Sequence, residues 1–341
     1  MISRAEPRPR RAVDGEGPAP VSVSIIICTR DRRRDLARAL ASLGPSLVDA
    51  AGVEVVVVEE TNTPAPITGV TYVAIPPGDQ GFGSTRNRAL EIARGEILVF
   101  FDDDCEAAPG WLNALLAPLR NDPALGGAAG SVLVHETNLI GHAENVLGFP
   151  GGGLRSLAES RGQIHETRHL STCNCAYRRW AIEEAGGFPT AARFGAEDTV
   201  LAERITARRR CVYVPEARVF HRARGSVAGV FRWFVRRGRS EVHVLPLRRR
   251  PRESVAYIVR TSILLRAGLL AAMVLLLPCP AILSTVVLAA AYYCVMLWRY
   301  RFALRYADAR RAWPLVPLVK AVMDVGFEVG KIRALASRGR R

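Results

Sequence analysis

The sequence predicts an α/β fold, a parallel sheet with crossover helices, followed by a pair of apolar helices. Three observations carry that expectation. Residues 21–28, 53–58 and 97–101 are short, apolar and rich in Val and Ile, the pattern of strands covered on both faces. Segments of helical periodicity separate them, and strands alternating with helices build parallel sheets. Beyond residue 250 the composition changes, and residues 267–277 and 281–298 carry no charge at all.

Taken in order, 21–28 is the first strand. Residues 31–43 follow as a helix through Leu36, Leu40 and Leu43, and Gly44-Pro45 should stop it. Strands at 53–58 and 70–75 precede a helix over 84–93, with Ala89, Leu90 and Ala93 on one face. The strand at 97–101 comes next. Further on, 126–134 reads as a strand, 148–153 as a glycine-rich loop, 169–176 as a strand and 179–184 as a short helix before a turn at Gly186-Gly187. Residues 198–207 form a helix with Glu197 and Asp198 at its start, and 211–214 and 218–220 read as two strands.

The apolar stretch 281–298 is long enough to span a bilayer, whereas 267–277 is short unless it extends back through Arg266 toward 255. Arginines crowd both flanks, at 248–252 and at Arg299, Arg301, Arg305, Arg310 and Arg311, which places both flanks on the cytoplasmic side. A transmembrane hairpin turning at Pro278-Cys279-Pro280 is the simplest topology. A re-entrant hairpin is the alternative, because Arg266 sits deep, and a buried helical pair of a soluble protein is the third reading. Residues 313–335 are amphipathic, as in a helix lying on a membrane surface. The chain thus divides into a Pro- and Arg-rich disordered tail (1–20), an α/β domain (21–250), a membrane hairpin (255–300) and a basic amphipathic cytoplasmic tail (301–341).

The net charge is +15, almost all of it arginine, spread over several clusters. No RNA-binding signature interleaves aromatic residues with them, so nucleic acid is not an expected partner. Seven cysteines without regular spacing do not form a disulfide framework and read as reduced thiols in a cytoplasmic setting. The first twenty residues contain no apolar core of a secretory signal.

The chemistry points to Asp102-Asp103-Asp104, directly after the apolar run 97–101. Three carboxylates at a strand tip repel one another, and a hard divalent cation compensates them. A solvated turn with Asp104 and Glu106 at a helix start is the bland alternative. Other strand tips carry Thr29-Arg30-Asp31, then Glu59-Glu60-Thr61-Asn62, then the segment GFGSTRNRAL at 81–90. Later come TCNCAYRRWAIEEAGGF at 172–188, GAEDTVLAERI at 195–205 and RRGRS at 236–240. In this order and spacing, the set over residues 21–240 resembles the family-2 glycosyltransferases, whose catalytic domain is a GT-A type nucleotide-sugar-binding fold with a Rossmann-like mixed sheet.

The resemblance implies roles. Asp102 and Asp104 would hold Mg²⁺ or Mn²⁺ against the donor diphosphate, with Asp103 nearer the ribose or sugar and His221 as a third metal ligand. Asp198 would be the catalytic base, with Glu197 as the runner-up. Thr29, Arg30 and Asp31 would line the base pocket, and Arg86 and Asn87 would face the nucleotide. Glu59 stands where the family usually has Asp, which leaves the base unassigned. Asn174 and Trp180 lie in the segment that resembles the acceptor side, although Trp180 and Trp111 also suit a core. The implied partners are a nucleotide-sugar donor, a lipid-linked or other glycan acceptor and the lipid bilayer of the plasma (inner) membrane, with the catalytic domain cytoplasmic. The arginines at 236 and 248–252 read either as contacts for phospholipid headgroups or a polyprenyl diphosphate or as positive-inside topology signals alone. The processive Q-x-x-R-W signature is absent, which favours single additions. A non-catalytic scaffold of the same fold and a nucleotidyltransferase are the rival readings; the second would need a glycine-rich loop where Thr29-Arg30-Asp31 stands.

Overall fold

The computed structural model describes residues 23–47, 52–78, 81–248, 251–276 and 280–338. The expected tail at 1–20 and the Pro278-Cys279 part of the hairpin turn lie outside these. The first half runs β1 (Val23–Arg30), α1 (Arg33–Leu47), β2 (Val53–Glu60), β3 (Thr71–Ile75), α2 (Phe82–Ile92), β4 (Ile97–Phe101), β5 (Cys105–Ala107), α3 (Trp111–Asn121) and β6 (Gly127–Leu133). Then come α4 (Leu139–Val146), α5 (Gly153–Ser160), β7 (His165–Glu166), β8 (Asn174–Arg178), α6 (Arg179–Glu184), α7 (Glu197–Thr206), β9 (Cys211–His221) and α8 (Val227–Val244). The C-terminal part is helical: α9 (Pro251–Arg260), α10 (Ile263–Leu276), α11 (Ala281–Arg299), α12 (Ala307–Ala312) and α13 (Val316–Arg338).

Among the described residues the strands form one sheet in the order β3-β2-β1-β4-β8-β6-β9-β5, with β7 added beside β9. The half from β3 to β4 is parallel. Beyond it β8 runs antiparallel to both β4 and β6, so the sheet is mixed. Alternation along the strands builds two cores. Ile25, Ile27, Val57 and Val99 face α1 and α3, while Ile26, Val56, Val58 and Leu98 face α2, α6 and α7. The consequence for function is that the C-terminal tips of β1, β2 and β4 share one rim, where open α/β sheets bind ligands.

Several boundaries differ from expectation for physical reasons. Helix α1 continues through Gly44-Pro45 to Leu47, since a proline near a helix end removes only one hydrogen bond. The strand expected at 169–176 is confined to 174–178. The two strands expected at 211–220 are one, β9, which shifts register against β6 between Gly130 and Ser131 and bulges at Pro215–Ala217.

The C-terminal segment is packed rather than a free tail. Phe327, Met323 and Val319 of α13 share a core with Val230 and Phe234 of α8 and with Ala143 and Val146 of α4. The helices approach through glycine: a Cβ on Gly238 would stand 2.0 Å from the Phe327 carbonyl oxygen, and one on Gly330 2.1 Å from that of Val235. Small residues let backbones come this close. The outer face of α13 exposes Leu318, Val325, Ile332 and Leu335. Arg266 of α10 is not left alone, because it meets Asp324 of α13 at 3.2 Å, and Lys320 pairs with the same carboxylate. Lys331 bonds to Glu328 at 2.7 Å and to the Ile258 carbonyl of α9 at 3.2 Å. Arg248, expected as a headgroup contact, is instead paired with Glu203 and Glu241 at 3.2 and 3.1 Å.

Candidate active site

Strands β1 and β4 are parallel neighbours, so their tips bring Thr29 beside the aspartate triplet. Thr29 Oγ1 donates to Asp103 Oδ2 at 2.5 Å. Arg32, in the turn after β1, donates Nε to the same oxygen at 3.0 Å and also pairs with Oδ1. Asp103 is fully buried and ties two strand tips together. Burial pushes its carboxyl up to about 7, although Thr29 and Arg32 pull the other way.

Asp102 and Asp104 flank it and both line the cleft. Asp104 Oδ2 accepts from Arg32 at 2.7 Å, and its Oδ1 lies 3.1 Å from His221 Nε2. His221 ends β9, which pairs with β5 so that His221 stands opposite Cys105. Its Nδ1 is 2.8 Å from the Arg222 carbonyl oxygen. Only a protonated Nδ1 can bond there, so it is Nε2 that faces the Asp104 carboxylate, as the second N–H of an imidazolium or as a lone pair. Two acceptors at that distance need a proton or a cation between them. Asp102, Cys173 and His221 place ligand atoms within 4.8 Å of one another, and so do Asp104, Cys105 and His221. The residues therefore fit a divalent ion. Burial pushes the Asp104 carboxyl up, but His221 and Arg32 outweigh it and hold it below the usual carboxylate range.

The start of α7 supplies the second acidic pair. Gly195 and Ala196 turn the chain through positive φ, 113° and 67°, into the helix. Glu197 is buried and ion-paired with Arg86, whose guanidinium also reaches Asp102 at 3.4 Å. The rings of Phe82 and Phe188 lie 5.5 and 5.8 Å from that guanidinium. Arg86 borders the cleft, yet it is engaged with two carboxylates. Burial pushes Glu197 up against the pull of Arg86, and its Oε2 has no hydrogen-bond partner. Asp198 is half-buried and lines the cleft; its Oδ1 accepts from the Thr199 amide at 2.7 Å and from Thr199 Oγ1 at 3.3 Å.

Around these groups lies an open cleft of about 570 Å³. Its far wall carries Arg224, Arg236 and Arg237 from the β9–α8 turn and from α8, with Trp233 and the Phe149–Gly152 loop. Arg236 sits over the Phe82 ring at 5.2 Å; burial, with Arg224 and Arg30 nearby, lowers its pKa while Glu197 opposes that.

Of the residues singled out from the sequence, Thr29, Arg30, Arg86, Asp102, Asp104, Glu197, Asp198 and His221 border this one cleft. The others are placed differently. Asn87 clips the backbone of Phe188, donating to its carbonyl and accepting from its amide at 2.9 Å each. Asn174 is buried beneath the bulge of β9, donating to the Ser131 and Ala217 carbonyls at 2.9 and 2.7 Å and accepting from Trp111 Nε1 at 2.7 Å. Trp180 packs on the α2–α6 side of the sheet under the Arg209 guanidinium, 4.7 Å from its ring centre. Asp31 occupies the β1–α1 turn with φ 50°. Glu59 is buried, paired with Arg33 and accepting from Tyr72 Oη at 2.7 Å. Sequence reasoning missed Arg32, Cys173, His169 and Trp233. Arg32 sat inside a charged run and Cys173 inside a quoted segment, so both were visible without a signal to separate them.

An open α/β sheet that gathers carboxylates and an imidazole at its strand tips, facing an arginine-walled cleft, has the ligand-binding rim of the nucleotide-binding α/β class. Residues 24–186 match the family described as Glycosyl transferase family 2. Residues 24–186 are thus a domain of this glycosyltransferase family, and the fold is GT-A. That match sets the nucleotidyltransferase reading aside. The O-antigen chain rhamnosyltransferase WbaN of Salmonella anatum is 33% identical over 159 residues, 44% of this chain and 48% of that protein. A probable N-acetylgalactosaminyltransferase 8 of Caenorhabditis elegans is 43% identical over 44 residues, 13% of this chain and 10% of that protein. The chain thus spans about half the length, or less, of these curated relatives. The mannosyltransferase PcManGT from Pyrobaculum calidifontis, solved with GDP-Man and Mn²⁺, has the same fold, with a TM-score of 0.58 at 21% identity over 95% of this chain and 91% of that one.

Proposed function

We propose that this protein transfers one sugar from a nucleotide-diphosphate sugar to a lipid-linked or other glycan acceptor, with inversion, at the cytoplasmic face of the plasma (inner) membrane. The observation that carries this reading is the meeting of Asp102, Asp104 and His221 with Asp198 in a single cleft. Asp102, Asp104 and His221 would hold the cation, and Mg²⁺ or Mn²⁺ bound there would supply neutralising charge for the departing nucleoside diphosphate. Arg30 and Arg236 add positive charge on the diphosphate side. Asp198 takes the proton from the acceptor hydroxyl while that oxygen bonds to the anomeric carbon and the bond to the diphosphate breaks. Its Thr199 contacts fix one carboxylate oxygen and leave the other for the proton. Glu197, held by Arg86, orients the helix start and is not the base. The GDP-Man and Mn²⁺ bound by PcManGT and the O-antigen chain in the name of WbaN support this donor and acceptor chemistry.

Support for the membrane comes from α11, which is 19 residues long and apolar. It exposes Ile282, Leu283, Val286, Val287 and Val295, and it ends in Trp298, which is 66% exposed. Arg299, Arg301 and Arg305 follow and share a groove with Arg155 and Arg161 of the α5 region. An aromatic residue beside arginines at the end of an apolar helix suits a membrane–water boundary.

The test is Asp198→Asn. Transfer should fall by about 10²–10⁴-fold, as for loss of a general base, while donor affinity measured by calorimetry stays unchanged. A loss of donor affinity would overturn the assignment of the base. Asp104→Ala should abolish metal-dependent turnover of nucleotide sugars, and retained turnover would sink the metal assignment.

A further inference from the structure

We propose that Cys173 is a ligand of the divalent cation, so that the site selects Mn²⁺ and softer ions over Mg²⁺. The proposal rests on the metal-dependent reading above and narrows it. Sheet register sets the geometry. Strands β4 and β8 are antiparallel and their ladder ends with Phe101 opposite Asn174, so Asp102 and Cys173 are the residues that flank that last pair. Its Sγ, an Asp102 carboxylate oxygen and a His221 ring nitrogen lie within 4.8 Å of one another. Cys173 is 8% exposed and borders the cleft. A free buried cysteine often serves only as a small hydrophobe. An alanine would fill that space equally, whereas sulfur adds an electron pair beside an imidazole lone pair and a carboxylate.

Such a donor set discriminates. Mg²⁺ demands a near-octahedral shell of oxygens and gives up its waters reluctantly. Imidazole and sulfur favour later first-row ions, with affinity rising from Mn²⁺ through Co²⁺. As the sulfur–metal bond forms, the thiol proton leaves to solvent. Cys173 would then add a sulfur to the carboxylate oxygens of Asp102 and Asp104 and the His221 nitrogen.

The test uses the full chain in detergent and the metal alone. Co²⁺ titrated into the wild type should give a sulfur-to-cobalt charge-transfer absorption band. Cys173→Ser should lose the band, and Cys105→Ser should keep it. In Mn²⁺/Mg²⁺ competition followed by Mn²⁺ electron paramagnetic resonance, Cys173→Ser should lower the preference for Mn²⁺ by roughly ten- to hundredfold, the scale at which even supporting groups alter metal affinity. Cys173→Ala gives the same comparison if the serine variant does not fold. Co²⁺ binding without the band, or a band that survives in both Cys173 variants, overturns the proposal. If the wild type binds neither Co²⁺ nor Mn²⁺, the metal-dependent reading itself fails, which is a distinct outcome.

Discussion

Arg86 organises the acidic groups of the cleft. It lies between Glu197 and Asp102, buried, and among the described residues it is the cation ion-paired with Glu197. Removing one partner of a buried pair leaves the other charge uncompensated, which typically costs about 3–5 kcal/mol. Arg86→Met should therefore lower stability on that scale in chemical denaturation, and adding Glu197→Gln should recover part of it. A neutral result for Arg86→Met would mean that Glu197 is not charged in the folded protein. The same residues show what a sequence reveals. The triplet at a strand end and Asp198 at a helix start were legible because both are local patterns. Asp103, Asn87 and Asn174 were not, because their partners are remote: Asn87 is claimed by Phe188, 101 positions along, and Asp103 by Thr29, 74 positions back. Residue type and spacing do not record which distant group takes up a polar side chain.

Among the elements, the contact of α8 with α13 is the most constrained. The Cβ atoms that Gly238 and Gly330 lack would overlap backbone carbonyls of the facing helix, so no rotamer change relieves the clash. Gly330→Ala should destabilise by about 1–3 kcal/mol or more, the usual range for overpacking, seen as a lower unfolding temperature. Gly268→Ala is the control, because open space surrounds that position in α10, and alanine there should be neutral or mildly stabilising. The periodicity of 313–335 announced a helix with an apolar face, but not that α8 would cover it. The glycines four apart at 326 and 330 were the available hint of a close helix neighbour. Strand positions were easier, since purely apolar runs have only one home in a two-faced sheet; the bulge in β9 was hidden because it depends on Asn174 reaching from another strand.

At the scale of the molecule, a cleft walled with arginine coexists with an apolar helical surface on α10 and α11. Leu264, Leu269 and Met273 of α10 are exposed, as are Ile282, Leu283, Val286 and Val287 of the neighbouring α11, and contiguous exposed apolar side chains mark interaction surfaces. The full chain should float with liposomes, and Leu283→Asn with Val286→Asn and Val287→Asn should weaken that association without altering donor binding. A wild type that stays monodisperse in detergent-free buffer would defeat the membrane reading. Every cation described in the cleft is an arginine, and the chain has two lysines in 341 residues, both on α13. Lys320 is held by Asp324, and Lys331 by Glu328 and the Ile258 carbonyl. Apart from the α-amino terminus, an amine-acylating reagent therefore probes a single helix. The rate at which Lys331 is modified reports how often α13 parts from α9, and mapping that modification by mass would time the event whatever the cleft contains.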